Sequence, residues 1–182
     1  MSKKIDKMEM LKPFLDEPER EFHIRELAKI VKVSPTTATS YLEDFNQKNL
    51  LERSKERNVI LYRANSQNSM FKETKKHFNT LRILESGLID YLNLELNYPE
   101  AIILFGSFAK GENTKQSDID IFILSESKKE LSLEKYETKI GADIQLFINN
   151  KKEFLEMKSK NKNLLNNILN GIKLSGFIEV FK

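Results

Sequence analysis

The sequence predicts an α+β protein built in two parts, and three observations carry that prediction. Residues 5–48 place apolar side chains at helical spacing and lead into two short runs of strand-forming residues. Phe71–Leu96 then continues without proline, with apolar residues at helical intervals. Beyond Pro99, the apolar runs Ile102–Phe105, Ile121–Leu124 and Ala142–Ile148 are separated by polar and helical stretches, the pattern of a mixed α/β sheet.

The totals set limits on function. The chain has 182 residues, enough for one large domain or two small ones. Hydrophobic residues make up 40% and charged residues 31%, the balance of a soluble globular protein. No apolar run approaches the ~18 residues of a spanning helix, so no membrane partner is expected. The opening MSKKIDKMEM lacks the apolar core of a signal peptide. Cysteine is absent, which excludes disulfides, thiolate catalysis and cysteine zinc sites and fits a cytoplasmic location. The net charge of +3, from 30 basic against 27 acidic residues, is too small to imply nucleic acid by itself. An argument for nucleic acid therefore needs a local patch.

Taken in order, Ile5, Met8, Leu11 and Leu15 mark a first helix, with Pro18 beyond its end. Glu21-Phe22-His23 reads as a short extended piece. Ile24, Leu27, Ala28 and Val31 share one face of a second helix. Ser34 is a good N-cap and Pro35 suits the first helical position, so a third helix covers about Pro35–Lys48 and buries Ala38, Leu42 and Phe45. Its outer face offers Thr36, Thr37, Thr39, Ser40 and Glu43. Leu50–Ser54 and Val59–Arg63 read as two strands around a polar tip, Lys55–Asn58.

Helix, helix, short turn, helix and a basic-tipped hairpin is an order that resembles the winged helix-turn-helix family over residues 5–65. Hydroxyl side chains on an exposed helix bond readily to phosphates and base edges. The resemblance therefore implies DNA contacts from Thr36, Thr37, Thr39, Ser40, Lys55 and Arg57, with Arg53 and Arg63 in the strands behind the tip. Glu43 and Asp44 lie on the same helix and oppose that reading. The plain alternative is a small helical dimerisation or docking module.

Asn65–Met70 is a polar connector. The expected organisation is a winged helix-turn-helix at 1–66, a linking long helix at 67–98, broken near Ser86-Gly87, and an α/β domain at 99–182. The long helix from Phe71 offers a surface for a homodimer, with a plain core helix as the alternative. Its first turns carry Lys72, Lys75, Lys76 and His77, which read as a solvated face.

The chemistry concentrates in Ile102–Leu124, IILFGSFAKGENTKQSDIDIFIL. An apolar strand ends in Gly106-Ser107, ten residues follow, and Asp118-Ile119-Asp120 opens a second strand. Side chains alternate between the faces of a strand. Asp118, Asp120 and Phe122 therefore share one face, and Ile119, Ile121 and Ile123 the other. Two carboxylates held that close repel unless a cation lies between them, and hard oxygen ligands suit Mg²⁺. Gly106 lets the backbone approach phosphate oxygens closely. The turn into Ser107 presents N–H groups, and the Ser107 hydroxyl adds a donor. Lys110 can reach a triphosphate, with a merely exposed lysine as the alternative. Ala142–Ile148 alternates too, with Asp143, Gln145 and Phe147 on one face.

This compound motif, with Ser117 before the first aspartate, resembles the nucleotidyltransferases related to DNA polymerase β over about residues 97–180. The resemblance implies nucleotide binding by Gly106, Ser107, Lys110 and Ser117. It also implies catalytic metal ligation by Asp118 and Asp120, with Asp143 matching the family's third carboxylate on a neighbouring strand. Asp90 and Glu137 fit that third position less well. Two Mg²⁺ ions about 3.5–4 Å apart are implied as cofactors, with ATP or another NTP as substrate. The expected reaction is attack of an acceptor hydroxyl on the α-phosphorus, with loss of pyrophosphate.

Only Ile144–Lys182 follows the third carboxylate, so the chain is similar to the minimal nucleotidyltransferases of prokaryotes. Several of these are antitoxins that adenylylate a partner ribonuclease toxin of the HEPN type, which makes a toxin protein one implied acceptor. A small-molecule hydroxyl is another. A reading of a different class is a DNA-binding regulator whose transferase fold senses nucleotide without transferring it.

Overall fold

The computed structural model describes residues 5–179. It is a mixed α+β structure with two sheets. The chain divides into two compact units, Met1–Lys75 and Lys76–Lys182.

In the first unit, α1 (Lys7–Asp16) begins at Asp6, whose side chain accepts from the Met8 N–H. It buries Met10, Leu11, Phe14 and Leu15. The two-residue strand β1 (Phe22–His23) follows, and Phe22 packs edge-on against Phe14, with ring centroids 5.0 Å apart. His23 Nδ1 accepts from the Glu26 N–H and so caps α2 (Ile24–Ile30). Helix α3 (Pro35–Gln47) starts as its sequence predicts: the Ser34 hydroxyl accepts from the Thr37 N–H at 3.1 Å, and Pro35 takes the first turn. Ala38, Leu42 and Phe45 are its buried face.

Strands β2 (Leu51–Glu56) and β3 (Val59–Ala64) pair antiparallel, and β1 adds to β3, giving the order β1-β3-β2. The hairpin is longer than the sequence suggests. Lys55 and Glu56 are strand residues opposite Ile60 and Val59, leaving only Arg57-Asn58 as the turn. Both turn residues have positive φ, 43° and 67°. That conformation matches the twist of the flanking strands, which explains why pairing continues to the tip.

Helix α4 (Ser69–Ser86) carries the boundary between the two units. Its buried face differs from the apolar stripe expected. Phe71, Lys75, Asn79, Ile83 and Ser86 are buried, while Leu81 and Leu84 are 54% and 44% exposed. Polar residues are tolerated on a buried face when they are bonded. Asn79 Nδ2 donates to the Phe108 carbonyl at 3.0 Å and to Asn113 Oδ1 at 2.8 Å. The helix stops at Gly87, whose φ of 84° a helix cannot continue, and α5 (Leu88–Glu95) begins anew.

The second unit is organised on a four-stranded mixed sheet. Its strands are β4 (Ala101–Phe105), β5 (Ile119–Leu124), β6 (Ile144–Asn149) and β7 (Ile172–Gly176), in the order β6-β5-β4-β7. Short α6 (Gly106–Lys110) leaves β4, and α7 (Glu134–Ile140) lies on the crossover between the parallel strands β5 and β6. Helices α8 (Lys151–Lys160) and α9 (Lys162–Leu169) follow. Both faces of the sheet are covered, as its apolar strands require. Ile102, Leu104, Ile119, Ile121 and Ile123 join a core with Leu88, Leu92 and Ile140. Ile103, Phe105 and Phe122 join another with Phe154, Met157 and Ile168.

By sequence alone Gly171–Leu174 and Phe177–Val180 read as terminal strands around a Ser175-Gly176 turn, but among the described residues the structure has the single strand Ile172–Gly176. Ile172–Gly176 pairs antiparallel with β4 through a register shift, so its partner is a preformed central strand rather than the residues that follow it. Phe177 donates its N–H to the Glu100 carbonyl, and Val180 lies outside the described residues. Among the described residues no helix is long and apolar enough to cross a membrane.

Candidate active site

The alternation of β5 puts Ile119 and Ile121 in a fully buried core and leaves Asp120 half-buried on the opposite face. Asp120 pairs across the sheet with Phe105 of β4 on one side and Gln145 of β6 on the other. Phe105 is the last residue before Gly106, so pairing brings the Gly-Ser turn beside the carboxylate. The approach is close. A methyl group built on Gly106 would lie 2.1 Å from Asp120 Oδ2, and Gly106 has φ of 70°. Glycine is required there both for the backbone angle and for the space the carboxylate fills.

Asp118 stands just before β5, and the Ile119 N–H donates to the Asp143 carbonyl at 2.8 Å. This bond extends the parallel pairing by one step and aligns the two aspartates at the mouths of neighbouring strands. Asp118 and Asp143 both line a cavity of about 450 Å³, together with Ser117, Lys115, Glu134 and Thr138. Asp143 is exposed.

The electrostatics single out Asp120. Burial pushes its carboxyl above the usual carboxylate range, and the charge of Asp118 pushes it the same way. A half-buried carboxylate with a second carboxylate beside it is a donor set suited to a hard divalent cation. The third expected ligand does not gather with them: among the described residues no group of three or more His, Asp or Glu side chains is close enough to hold a metal ion. The pair Asp118 and Asp120 therefore fits Mg²⁺, and Asp143 faces the same cavity as Asp118 without closing the cluster.

The remaining expected residues are placed as follows. Ser107 is half-buried in the first turn of α6, and Lys110 is exposed at its last residue. Ser117 is turned into its own loop, where its hydroxyl accepts from the Thr114 N–H at 2.9 Å. In the first unit, Thr36 and Ser40 are exposed on α3. Thr37 bonds to the Ser34 hydroxyl at 2.8 Å, and Thr39 donates to the Pro35 carbonyl at 2.9 Å. Lys55 and Arg57 are exposed at the end of the hairpin.

Two contributions escape a reading by sequence. Gln145 Nε2 donates to Asp118 Oδ2 at 2.5 Å. Its place on the face of Asp143 was the one available signal. Glu137, a poor candidate for the third acid, instead accepts from the Ile144 N–H at 3.0 Å and fixes α7 at the start of β6. No local pattern announces that contact.

Among solved structures, the chain is similar to Sso10a-2, a DNA-binding protein from Sulfolobus solfataricus, with 15% identity and a TM-score of 0.36, covering 50% of this chain and 97% of that one. No curated protein matches the chain. Residues 87–175, which contain the Gly-Ser turn and all three aspartates, match the family described as Polymerase beta, Nucleotidyltransferase, and this supports nucleotidyl transfer as the general chemistry of the second unit.

Proposed function

We propose that the chain is a Mg²⁺-dependent nucleotidyltransferase that moves a nucleoside monophosphate, AMP from ATP, to a hydroxyl of an acceptor, and that its first unit is a winged helix-turn-helix that binds DNA. The observation that carries the reading is the packing of the Asp120 carboxylate against Gly106, with Asp118 adding a second negative charge beside it. Asp118 and Asp120 would hold Mg²⁺, joined by Asp143. When bound, the metal offsets the charge of the triphosphate and of the departing pyrophosphate.

The chain's own residues do the rest. Gly106 leaves room for the Asp120 carboxylate at the strand end, and the Ser107 hydroxyl beside it donates to a phosphate oxygen. Lys110 adds a mobile positive charge. Asp143, exposed at the mouth of the cavity, accepts the proton of the acceptor hydroxyl as its oxygen bonds to the α-phosphorus and the bond to pyrophosphate breaks. The acceptor is a protein hydroxyl, such as that of a partner HEPN-type toxin, or a small molecule that enters the same cavity.

The order α1, β1, α2, α3, β2, β3 and the exposed Thr36, Ser40, Lys55 and Arg57 support the DNA-binding part. A second reading is favoured by the separation of Asp143 from Asp118 and Asp120: a DNA-binding regulator that binds nucleotide without transfer.

Incubation with α-³²P-labelled ATP, Mg²⁺ and cell extract separates the two. Transfer of label to a macromolecule or small acceptor is expected, with at least about a hundredfold loss in Asp118→Asn while the circular dichroism spectrum stays unchanged. Full transfer by Asp118→Asn would sink the proposal. Nucleotide binding without transfer, together with a steeply salt-dependent shift of DNA, would establish the regulator instead.

A further inference from the structure

A carboxylate beside another carboxylate must be held in place before it can receive a cation. The bond that does this for Asp118 comes from β6. Strands β5 and β6 run parallel with Asp120 opposite Gln145, so the Gln145 side chain rises on the face that carries the aspartates. Its Nε2 reaches diagonally back to Asp118 Oδ2 at 2.5 Å. The donor is neutral, so it fixes one oxygen of Asp118 without cancelling the charge a cation needs. One N–H takes one lone-pair direction of that oxygen, and the carboxylate keeps its others.

The geometry points to Gln145 as the positioning residue of the metal-binding carboxylate pair. This rests on the reading of Asp118 and Asp120 as cation ligands. Gln145 orients Asp118 and leaves its charge available to a cation. Residues that hydrogen-bond a ligating carboxylate typically change metal affinity by about 10–100-fold when removed. Gln145 is exposed on its strand, so its replacement leaves the two cores untouched.

The test is titration of the purified full chain with Mn²⁺ alone, free metal being counted by electron paramagnetic resonance. Gln145→Met keeps the bulk and removes the donor, and it is expected to weaken Mn²⁺ binding by about 10–100-fold. Gln145→Asn keeps the amide but withdraws it by one methylene, and a loss of the same order is expected. Asp118→Asn marks the binding that belongs to the carboxylate pair. If the wild-type chain binds Mn²⁺, Asp118→Asn abolishes that binding, and both Gln145 variants bind within threefold of wild type, the role of Gln145 is overturned while the metal site stands. If wild-type binding is absent, or is unchanged in Asp118→Asn, the metal site and the role of Gln145 fall together.

Discussion

The two units use charge in opposite ways. In the first, several charged and polar groups are paired within the unit. Asp44 bonds Lys48 at 2.7 Å and Lys7 at 3.2 Å, and these lysines, Lys48 foremost, hold its carboxyl below the usual range. Arg63 pairs with Glu52 across the hairpin at 2.7 Å. The hydroxyls of Thr37 and Thr39 bond within their own helix. In the second unit the opposite holds at one place. Asp118 accepts from the neutral Gln145 amide, and burial and the charge of Asp118 together push the Asp120 carboxyl up. Like charges held together on one strand face are what make Asp118 and Asp120 the candidate site proposed above. By the same standard, the first unit's surface carries a weaker signal for the proposed DNA contact.

The largest test of this contrast is Gly106→Ala. The new methyl group would collide with Asp120 Oδ2, and a side chain at φ of 70° costs about 1–2 kcal/mol by itself. Transfer should fall at least about a hundredfold as the carboxylate is displaced, with a lower melting temperature. Equal activity of Gly106→Ala would show that the approach of turn and carboxylate is incidental.

Asp120→Asn is expected to have two opposed effects, loss of transfer and a gain in stability of the metal-free chain. The pH dependence follows from the direction of the shift. A raised carboxyl binds its proton more tightly in the folded chain than in the unfolded one. Folding therefore loses stability as pH rises from the ordinary value of 3.8 through the raised one, and the penalty is fully present above it. Asp120 is partly exposed, so solvent screening keeps the gain in Asp120→Asn to the order of 0.5 kcal/mol. Thermal melts of both chains above and below that window, with and without Mg²⁺, check this. Mg²⁺ should stabilise the wild type and leave the variant unmoved.

The smallest expected effect is in the first unit. Asp44→Asn breaks two exposed ion pairs and should leave the melting temperature without a measurable shift. A large drop would mean that the surface charges of the first unit are as strongly constrained as those of the second.

Much of the fold was legible because its signals are local. Ser34-Pro35 announces the start of α3, Gly87 the break after α4, and the alternation through Asp118–Leu124 announces β5 with its two faces. The buried face of α4 was not legible. Leu81 and Leu84 obey helical spacing yet lie outward, while Asn79 is buried because a carbonyl of α6 and a side chain of the following loop receive its protons. The end of the chain was misread for a related reason. Ile172–Gly176 prefers a partner far away in sequence over the turn beside it.

For the site, the chain by itself determined a local arrangement of groups. A glycine, a serine and two aspartates at their spacing fix a close turn and two like charges on one strand face, because glycine's freedom and the period of a strand are local properties. Tertiary structure decided which groups meet. Pairing of β4 with β5 seats Asp120 against Gly106, and pairing of β5 with β6 brings Asp143 to the cavity of Asp118 and gives Asp118 the amide of Gln145. Those contacts depend on register between segments up to 27 residues apart, and register is set by the packing of two cores that no single segment contains.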